Sequence, residues 1–466
     1  MQTAENNMPA GTSEHLGHSA DLIIIGAGPG GYHAAELASK AGLQVIIVER
    51  AHLGGTCLNE GCIPTKCYAR HAEVLSLVRE AATFGISLNG TPEFDLAQAC
   101  NRKESVISQL RAGIATLLDH PNITIVEGDA RFVDAHTIAV GSDQYTAPNL
   151  IIATGSKAKT LRLQQPSTRR LLDSSDLLQL TTLPRRLCIV GAGVIGMEFA
   201  SIFSTFGTEV TVVEFLKECL PALDCDIAKR LRKSLEHRGV NFCMQSAVTA
   251  ITDQGVTYTD KRGKEHTVEA DEVLMAVGRT PRLIDDLALT GIDYDERTGI
   301  HVDEHMQTNV PGIYAIGDVN GRQMLAHAAE AQAKVAVSHI LQPHPTSAHD
   351  SSAPIPAAIF TRPEAACVGQ SEEELKASGK PYECRKAFHR ANGKALAMNE
   401  SDGMLKLLSE PEGGRILGCH VYGAHAADLV QEVSVLMCRE TSICQLQQMV
   451  HIHPTLSEIV LSAACS

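Results

Sequence analysis

Two glycine-rich turns, each set between apolar runs and followed by a run ending in glutamate, limit what this chain can fold into. The first unit is Asp21-Leu-Ile-Ile-Ile-Gly-Ala-Gly-Pro-Gly-Gly31, with Gly26, Gly28 and Gly31 as its glycines, and then Leu43-Gln-Val-Ile-Ile-Val-Glu49. The second is Arg186-Leu-Cys-Ile-Val-Gly-Ala-Gly-Val-Ile-Gly196, with Gly191, Gly193 and Gly196, and then Glu209-Val-Thr-Val-Val-Glu214. A short continuous apolar run reads as a strand of a parallel sheet, buried on both faces. Glycines at this spacing let the backbone approach a pyrophosphate, which rests against the free N–H groups of a helix start. A carboxylate about twenty positions further on suits the ribose hydroxyls. Both landmarks shift by the same 165 positions (191 − 26 and 214 − 49). A lone glycine turn is a weak signal, but turn, strand and acid repeated at one offset are a strong one. The chain is predicted to be α/β, with two Rossmann-like dinucleotide-binding domains.

At 466 residues there is room for several domains. The formal charge of −14 argues against nucleic acid and anionic membrane as partners. No apolar run approaches the ~20 residues needed to span a bilayer. The first Lys or Arg is Lys40, so neither a secretory signal nor an Arg-rich leader is expected. Fourteen cysteines at irregular spacing do not read as a secreted framework, which points to the cytoplasm. A polar, disordered lead-in is expected over 1–20.

The chemistry-bearing stretch is Gly54-Gly-Thr-Cys-Leu-Asn-Glu-Gly-Cys-Ile-Pro-Thr-Lys66. Cys57 and Cys62 can bond only if the backbone brings their Cα atoms within roughly 7 Å, and Gly61 and Pro64 favour such a distortion. Cys67 lies equally far beyond Cys62. On a regular helix after Pro64, however, those two side chains would point about 140° apart. Two buried structural thiols remain the bland alternative for Cys57 and Cys62.

With its paired glycines, Cys-x-x-x-x-Cys spacing and terminal lysine, the stretch resembles the redox motif of the flavin-dependent pyridine nucleotide-disulfide oxidoreductases. It is most similar to the branch that oxidises dihydrolipoyl groups. The resemblance runs from about Asp21 to the C-terminal region. It implies a Cys57–Cys62 redox disulfide, FAD on the first unit and a nicotinamide on the second. Glu214 favours NAD, because a carboxylate there binds the 2′-OH and repels an added phosphate. Further flavin contacts are implied at Thr56, Lys66, Ala130, Thr154, Gly155, Asp318 and Ala326, with Gly278 on the nicotinamide side. For Asp318 a simple strand-end turn is the competing reading, and Ala328 stands where the family pattern leads one to expect lysine. Lys66 and Glu198 are implied as a charged pair near the flavin, where a positive charge favours the reduced form. Both also fit ordinary helix-surface positions.

The implied domains are an FAD domain over 21–155, an NAD domain over 156–276, a return to the FAD and central domain over 277–350, and an α/β dimerisation domain over 351–466. A Pro- and Ser-rich stretch, 343–356, marks that last boundary. A homodimer is the expected assembly. Near the end, His451-Ile-His-Pro-Thr-Leu-Ser-Glu458 resembles the family's acid–base motif, which assigns the base to His453 and its orienting carboxylate to Glu458. A thiol needs such a base because the thiolate is the nucleophile. Thr455-x-x-Glu458 also fits a capping box, and His451-x-His453 could ligate a metal, although no matching cluster stands nearby.

The expected activity is NAD⁺-dependent oxidation of dihydrolipoyl groups carried by another protein or a 2-oxo acid dehydrogenase complex. The rivals are an NAD(P)H-dependent reductase of another disulfide or of mercuric ion, and a redox-inactive scaffold. A single C-terminal thiol, Cys465, tells against the mercuric reading, and the intact Cys57, Cys62, His453 and Glu458 tell against the scaffold. Glu60, between the cysteines, is expected to raise their pKa values.

Overall fold

The computed structural model describes residues 17–161, 163, 171–342 and 353–466. The expected lead-in over 1–16 and most of the boundary stretch 343–356 lie outside the described residues. The chain divides into two compact units, one of residues 1–55, 111–156 and 281–349, the other of 56–110, 157–280 and 350–466.

In the first unit a five-stranded parallel sheet runs Ile313–Ala315, Asn149–Ile152, Leu22–Ile25, Val45–Glu49, Ile123–Glu127 across its width. Leu22–Ile25 is central and fully buried, as its unbroken apolar run demands. Its side chains alternate between two cores. Leu22 and Ile24 pack with Ala34, Ala35 and Ala38 of helix Pro29–Lys40 and with Ala333, Ala336 and Val337 of helix Ala326–Leu341. Ile23 and Ile25 pack with Phe132, Ile138 and Tyr145 of a second, four-stranded sheet. Alanine on both helices permits their close approach to the sheet. Gly17–Ser19 belongs to that second sheet, pairing in parallel with residues 144–146, and the Ala20 N–H donates to Thr146 O at 3.1 Å. Residues 17–20 are therefore not disordered, as the sequence reading expected: they are ordered by ladder hydrogen bonds that a polar composition does not reveal.

In the second unit a parallel sheet runs Asn241–Cys243, Glu209–Val213, Arg186–Val190, Glu272–Met275. The registers of the two sheets match at the same offset: Leu22 faces Val45 as Leu187 faces Val210, and Ile25 faces Val48 as Val190 faces Val213. Helix Val194–Phe206 packs against this sheet and against the long helix Cys62–Arg79 through Tyr68, Ala72, Phe199 and Phe203. Residues 56–110, which lie inside the 21–155 span of the sequence reading, pack within this unit. So does a five-stranded antiparallel sheet of Ala357–Ile359, Glu364–Gly369, Ile416–Gly423, Met404–Ser409 and Glu383–Phe388, covered by helices Ala426–Cys438 and Glu458–Ala464. Among the described residues, no helix is long and apolar enough to cross a membrane.

Candidate active site

The two glycine turns are built alike down to single hydrogen bonds. Gly26 and Gly191 both have φ +105°, and a Cβ on either would lie 2.4 or 2.5 Å from the carbonyl oxygen of Ala153 or Ala276. A Cβ on Gly31 or Gly196 would strike the carbonyl of Gly26 or Gly191 at 1.9 or 2.0 Å. These glycines let the turn close against the sheet and the helix start. At Gly28 and Gly193 a Cβ would meet nothing within 4 Å, so the space before each helix N-terminus is open. Glu49 Oε2 accepts from the Ala27 N–H at 2.8 Å and Oε1 from the Ala51 N–H at 2.9 Å. Glu214 accepts from Ala192 at 2.6 Å and Leu216 at 2.7 Å in the same way. Each carboxylate thus braces its own turn and presents negative charge beside it. Two open cradles at helix starts, each with a fixed carboxylate alongside, fit two dinucleotides.

Asp318 is no free turn residue. Its Oδ2 accepts from Ser156 Oγ at 2.5 Å, and Gln332 Oε1 pins the same turn by accepting from the Gly317 N–H at 2.7 Å and Asn320 Nδ2 at 2.8 Å. Thr154 Oγ1 donates to Arg282 O at 2.6 Å, and the Gly155 carbonyl accepts from the Arg282 N–H at 2.9 Å. Ala326 opens helix Ala326–Leu341, with Ala328 fully buried behind it. Ala130 begins the strand that pairs with Thr137–Val140. Gly278 holds φ +103° and accepts from the Lys159 N–H at 3.0 Å.

The thiol pair sits where helix Gly55–Glu60 breaks at Gly61 before helix Cys62–Arg79 starts. Thr56 is exposed at the head of the first of these helices. The break brings the two sulfurs together, within hydrogen-bonding reach of one another. Cys57 is raised because it donates its proton toward the Cys62 sulfur and is largely buried. Cys62 is lowered to about 7, first by that hydrogen bond and then by the Lys66 ammonium, against burial and the charge of Glu198. Lys66 follows Cys62 by one helical turn and shares its face. Its Nζ lies 3.0 and 3.1 Å from the two Glu198 oxygens, so these residues form an ion pair and are not loose surface groups. Glu198 is 4% exposed and also accepts from the Phe360 N–H at 2.9 Å. The expectation for Glu60 needs correction. It is exposed and accepts from Ser175 Oγ at 3.4 Å, and the largest influences on both thiols come from other groups. Burial raises Cys67, so it is not a poised thiolate.

His453 is 81% exposed at its side chain, and its Nδ1 lies 2.9 Å from Glu458 Oε1. Glu458 Oε2 accepts from the Thr455 N–H at 2.9 Å, so one carboxylate both steadies the turn and orients the ring. These bonds hold Glu458 below the usual carboxylate range. His451 turns away to a different carboxylate, its Nε2 lying 3.0 Å from Glu432 Oε1. Ser156, Gln332 and Phe360 were missed by sequence reading. Their partners lie 162, 15 and 162 positions away, and no local motif marks them.

Comparison with known proteins agrees with this geometry. Residues 20–333 match the pyridine nucleotide-disulphide oxidoreductase family and residues 355–464 match its dimerisation domain. The dihydrolipoyl dehydrogenase of Mycoplasma pneumoniae is 36% identical over 94% of this chain and 96% of its own length. That of Corynebacterium glutamicum is 38% identical over 95% and 97%. Among solved structures, the HOCl-induced flavoprotein disulfide reductase RclA from Escherichia coli superposes with a TM-score of 0.85 at 28% identity, covering 96% of this chain and 99% of that one. The chain belongs to the pyridine nucleotide-disulphide oxidoreductases, enzymes that use FAD and NAD.

Proposed function

We propose that the protein is a dihydrolipoyl dehydrogenase, working as a homodimer in the cytoplasm on lipoyl groups carried by another protein. The observation that carries this reading is the asymmetric placement of the thiol pair, with Cys62 at a helix start one turn before the Lys66–Glu198 ion pair and Cys57 on the other side of the break at Gly61. Such an asymmetry assigns the two sulfurs different tasks. In the oxidised enzyme a substrate thiol loses its proton to His453 of the partner subunit, whose ring Glu458 orients. The thiolate attacks the Cys57 sulfur, a mixed disulfide forms, and Cys62 leaves as thiolate. A lower pKa makes Cys62 the better leaving group. The second substrate thiol then displaces Cys57, which regains a proton, and the cyclic lipoyl disulfide departs. The enzyme is left with its thiol pair reduced. Cys57 and Cys62 then return to the disulfide, with Cys57 giving up its proton, and a bound FAD would supply the two-electron acceptor for that step and the hydride donor for NAD⁺. Gly26, Gly28, Gly31 and Glu49 would hold FAD, with Asp318 and Ser156 near its linker. Gly191, Gly193, Gly196 and Glu214 would hold NAD.

The test is steady-state oxidation of dihydrolipoamide with NAD⁺ and with NADP⁺. NADH formation with a strong preference for NAD⁺ supports the reading. Reduction of another disulfide by NADH, with no turnover of dihydrolipoamide, would favour the reductase alternative that the likeness to RclA keeps open.

A further inference from the structure

Lys66 has a third neighbour that the thiol chemistry above does not use. Its Nζ stands 4.6 Å from the centroid of the Phe360 ring, on the ring face, where the quadrupole attracts a cation. Phe360 follows strand Ala357–Ile359 of the antiparallel sheet, and its own backbone is fixed at two points on helix Val194–Phe206. The Phe360 N–H donates to Glu198 Oε1 at 2.9 Å, and two residues on the Arg362 N–H donates to Ser201 Oγ at 2.9 Å. Arg362 is anchored in turn by Glu400 at 3.0 Å. The ring is therefore held by its neighbours, while the Lys66 side chain is still 34% exposed and has water as an alternative.

We propose that Phe360 is a positioning residue of the redox centre, whose ring face and backbone N–H together fix the Lys66–Glu198 pair so that the ammonium stays beside Cys62. The groups acting on Cys62 are Cys57, Lys66 and Glu198. Of these, Lys66 is the one with a long, flexible stem. Without the ring, Lys66 gains freedom to swing into solvent, while the buried carboxylate of Glu198 stays in place. The net field at Cys62 then becomes less favourable to the thiolate. The first strand of the dimerisation domain would in this way reach into the thiol chemistry of its own chain.

The proposal rests on Cys62 being the thiol next to the flavin, and the experiment separates the two claims. In holoenzyme carrying Cys57→Ser, the long-wavelength absorbance of the Cys62 thiolate against bound flavin is titrated with pH, alone and combined with Phe360→Leu, Phe360→Tyr or Lys66→Met. Leucine keeps the backbone N–H and apolar bulk but has no ring face. Phe360→Leu is expected to move the midpoint upward by roughly half a pH unit. Phe360→Tyr should restore the parent value, and Lys66→Met should give the full, larger shift. A parent protein with no such band would remove both claims. A band whose midpoint is unmoved by Phe360→Leu overturns the role of Phe360 alone, as does a shift that tyrosine fails to reverse. Should the leucine variant unfold, Phe360→Met replaces it in the same comparison.

Discussion

The two dinucleotide cradles share glycine conformations, strand register and carboxylate braces, and they part company at one backbone hydrogen bond. In the first, the carbonyl of the fingerprint alanine, Ala27, accepts from the Gly54 N–H at 2.8 Å. There Gly55, at φ +57°, lies so close to Gly28 that a Cβ would come within 2.7 Å of its Cα. In the second, the equivalent carbonyl of Ala192 accepts from Leu220 at 3.0 Å, and Leu220 adopts φ +49° before Pro221. The first copy therefore leads, directly after Gly55, into the segment of chain that carries Thr56, Cys57 and the broken helix of the thiol pair. The second leads into a loop and the helix Cys225–His237. One scaffold, used twice, continues into two different segments after its acid.

The sharpest way to break the comparison is to remove the chemistry from the first copy only. Cys62→Ser or Cys57→Ser should lower dihydrolipoamide turnover by roughly three orders of magnitude or more, with flavin and NAD binding intact by absorbance and fluorescence titration. His453→Ala should cost about 10²- to 10⁴-fold in kcat. Glu458→Gln should cost less, since the ring survives and only its orientation and charged form are weakened. Alanine in the matching glycines separates the copies. Gly26→Ala should yield protein without bound flavin, whereas Gly191→Ala should stay yellow and lose NAD turnover, as the same carbonyl clash blocks a different cradle. Glu214→Gln keeps one brace and loses the charge, so KM for NAD⁺ should rise about tenfold and discrimination against NADP⁺ should fall.

The smallest effect concerns acid stability of the antiparallel sheet. His389 and His420 are buried, and burial lowers both below the ordinary 6.5. The unfolded chain binds protons first, near 6.5, so stability is full above that pH and falls as pH drops below it. Thermal unfolding followed from pH 7.5 down to about pH 5 should show the loss, and replacing His389 by Gln should flatten it.

Much of this was legible in the sequence because the chemistry is local. Glu49 and Glu214 brace turns 22 positions upstream, within one βαβ unit. Cys57 and Cys62 lie five positions apart across the break at Gly61, and Glu458 reaches His453 five positions away. What stayed hidden depends on distant segments: Ser156 on Asp318, Phe360 on Glu198, and the ordering of residues 17–20 by the strand around Tyr145. Glu60 misled for the same reason. Proximity in sequence suggested a charge acting on the thiols, but the carboxylate that acts on Cys62 is Glu198, on another helix.

The central claim is that electrons pass from a dihydrolipoyl group through Cys57 and Cys62 to NAD⁺ in that order. It is tested most directly by anaerobic titration of the purified protein with dihydrolipoamide, recording the visible spectrum before and after NAD⁺ is added. The account predicts a long-wavelength thiolate–flavin band that grows with substrate, fades below a pH of about 7 as Cys62 is protonated, and clears with NADH formation. Flavin that NADH reduces but dihydrolipoamide leaves untouched would contradict it.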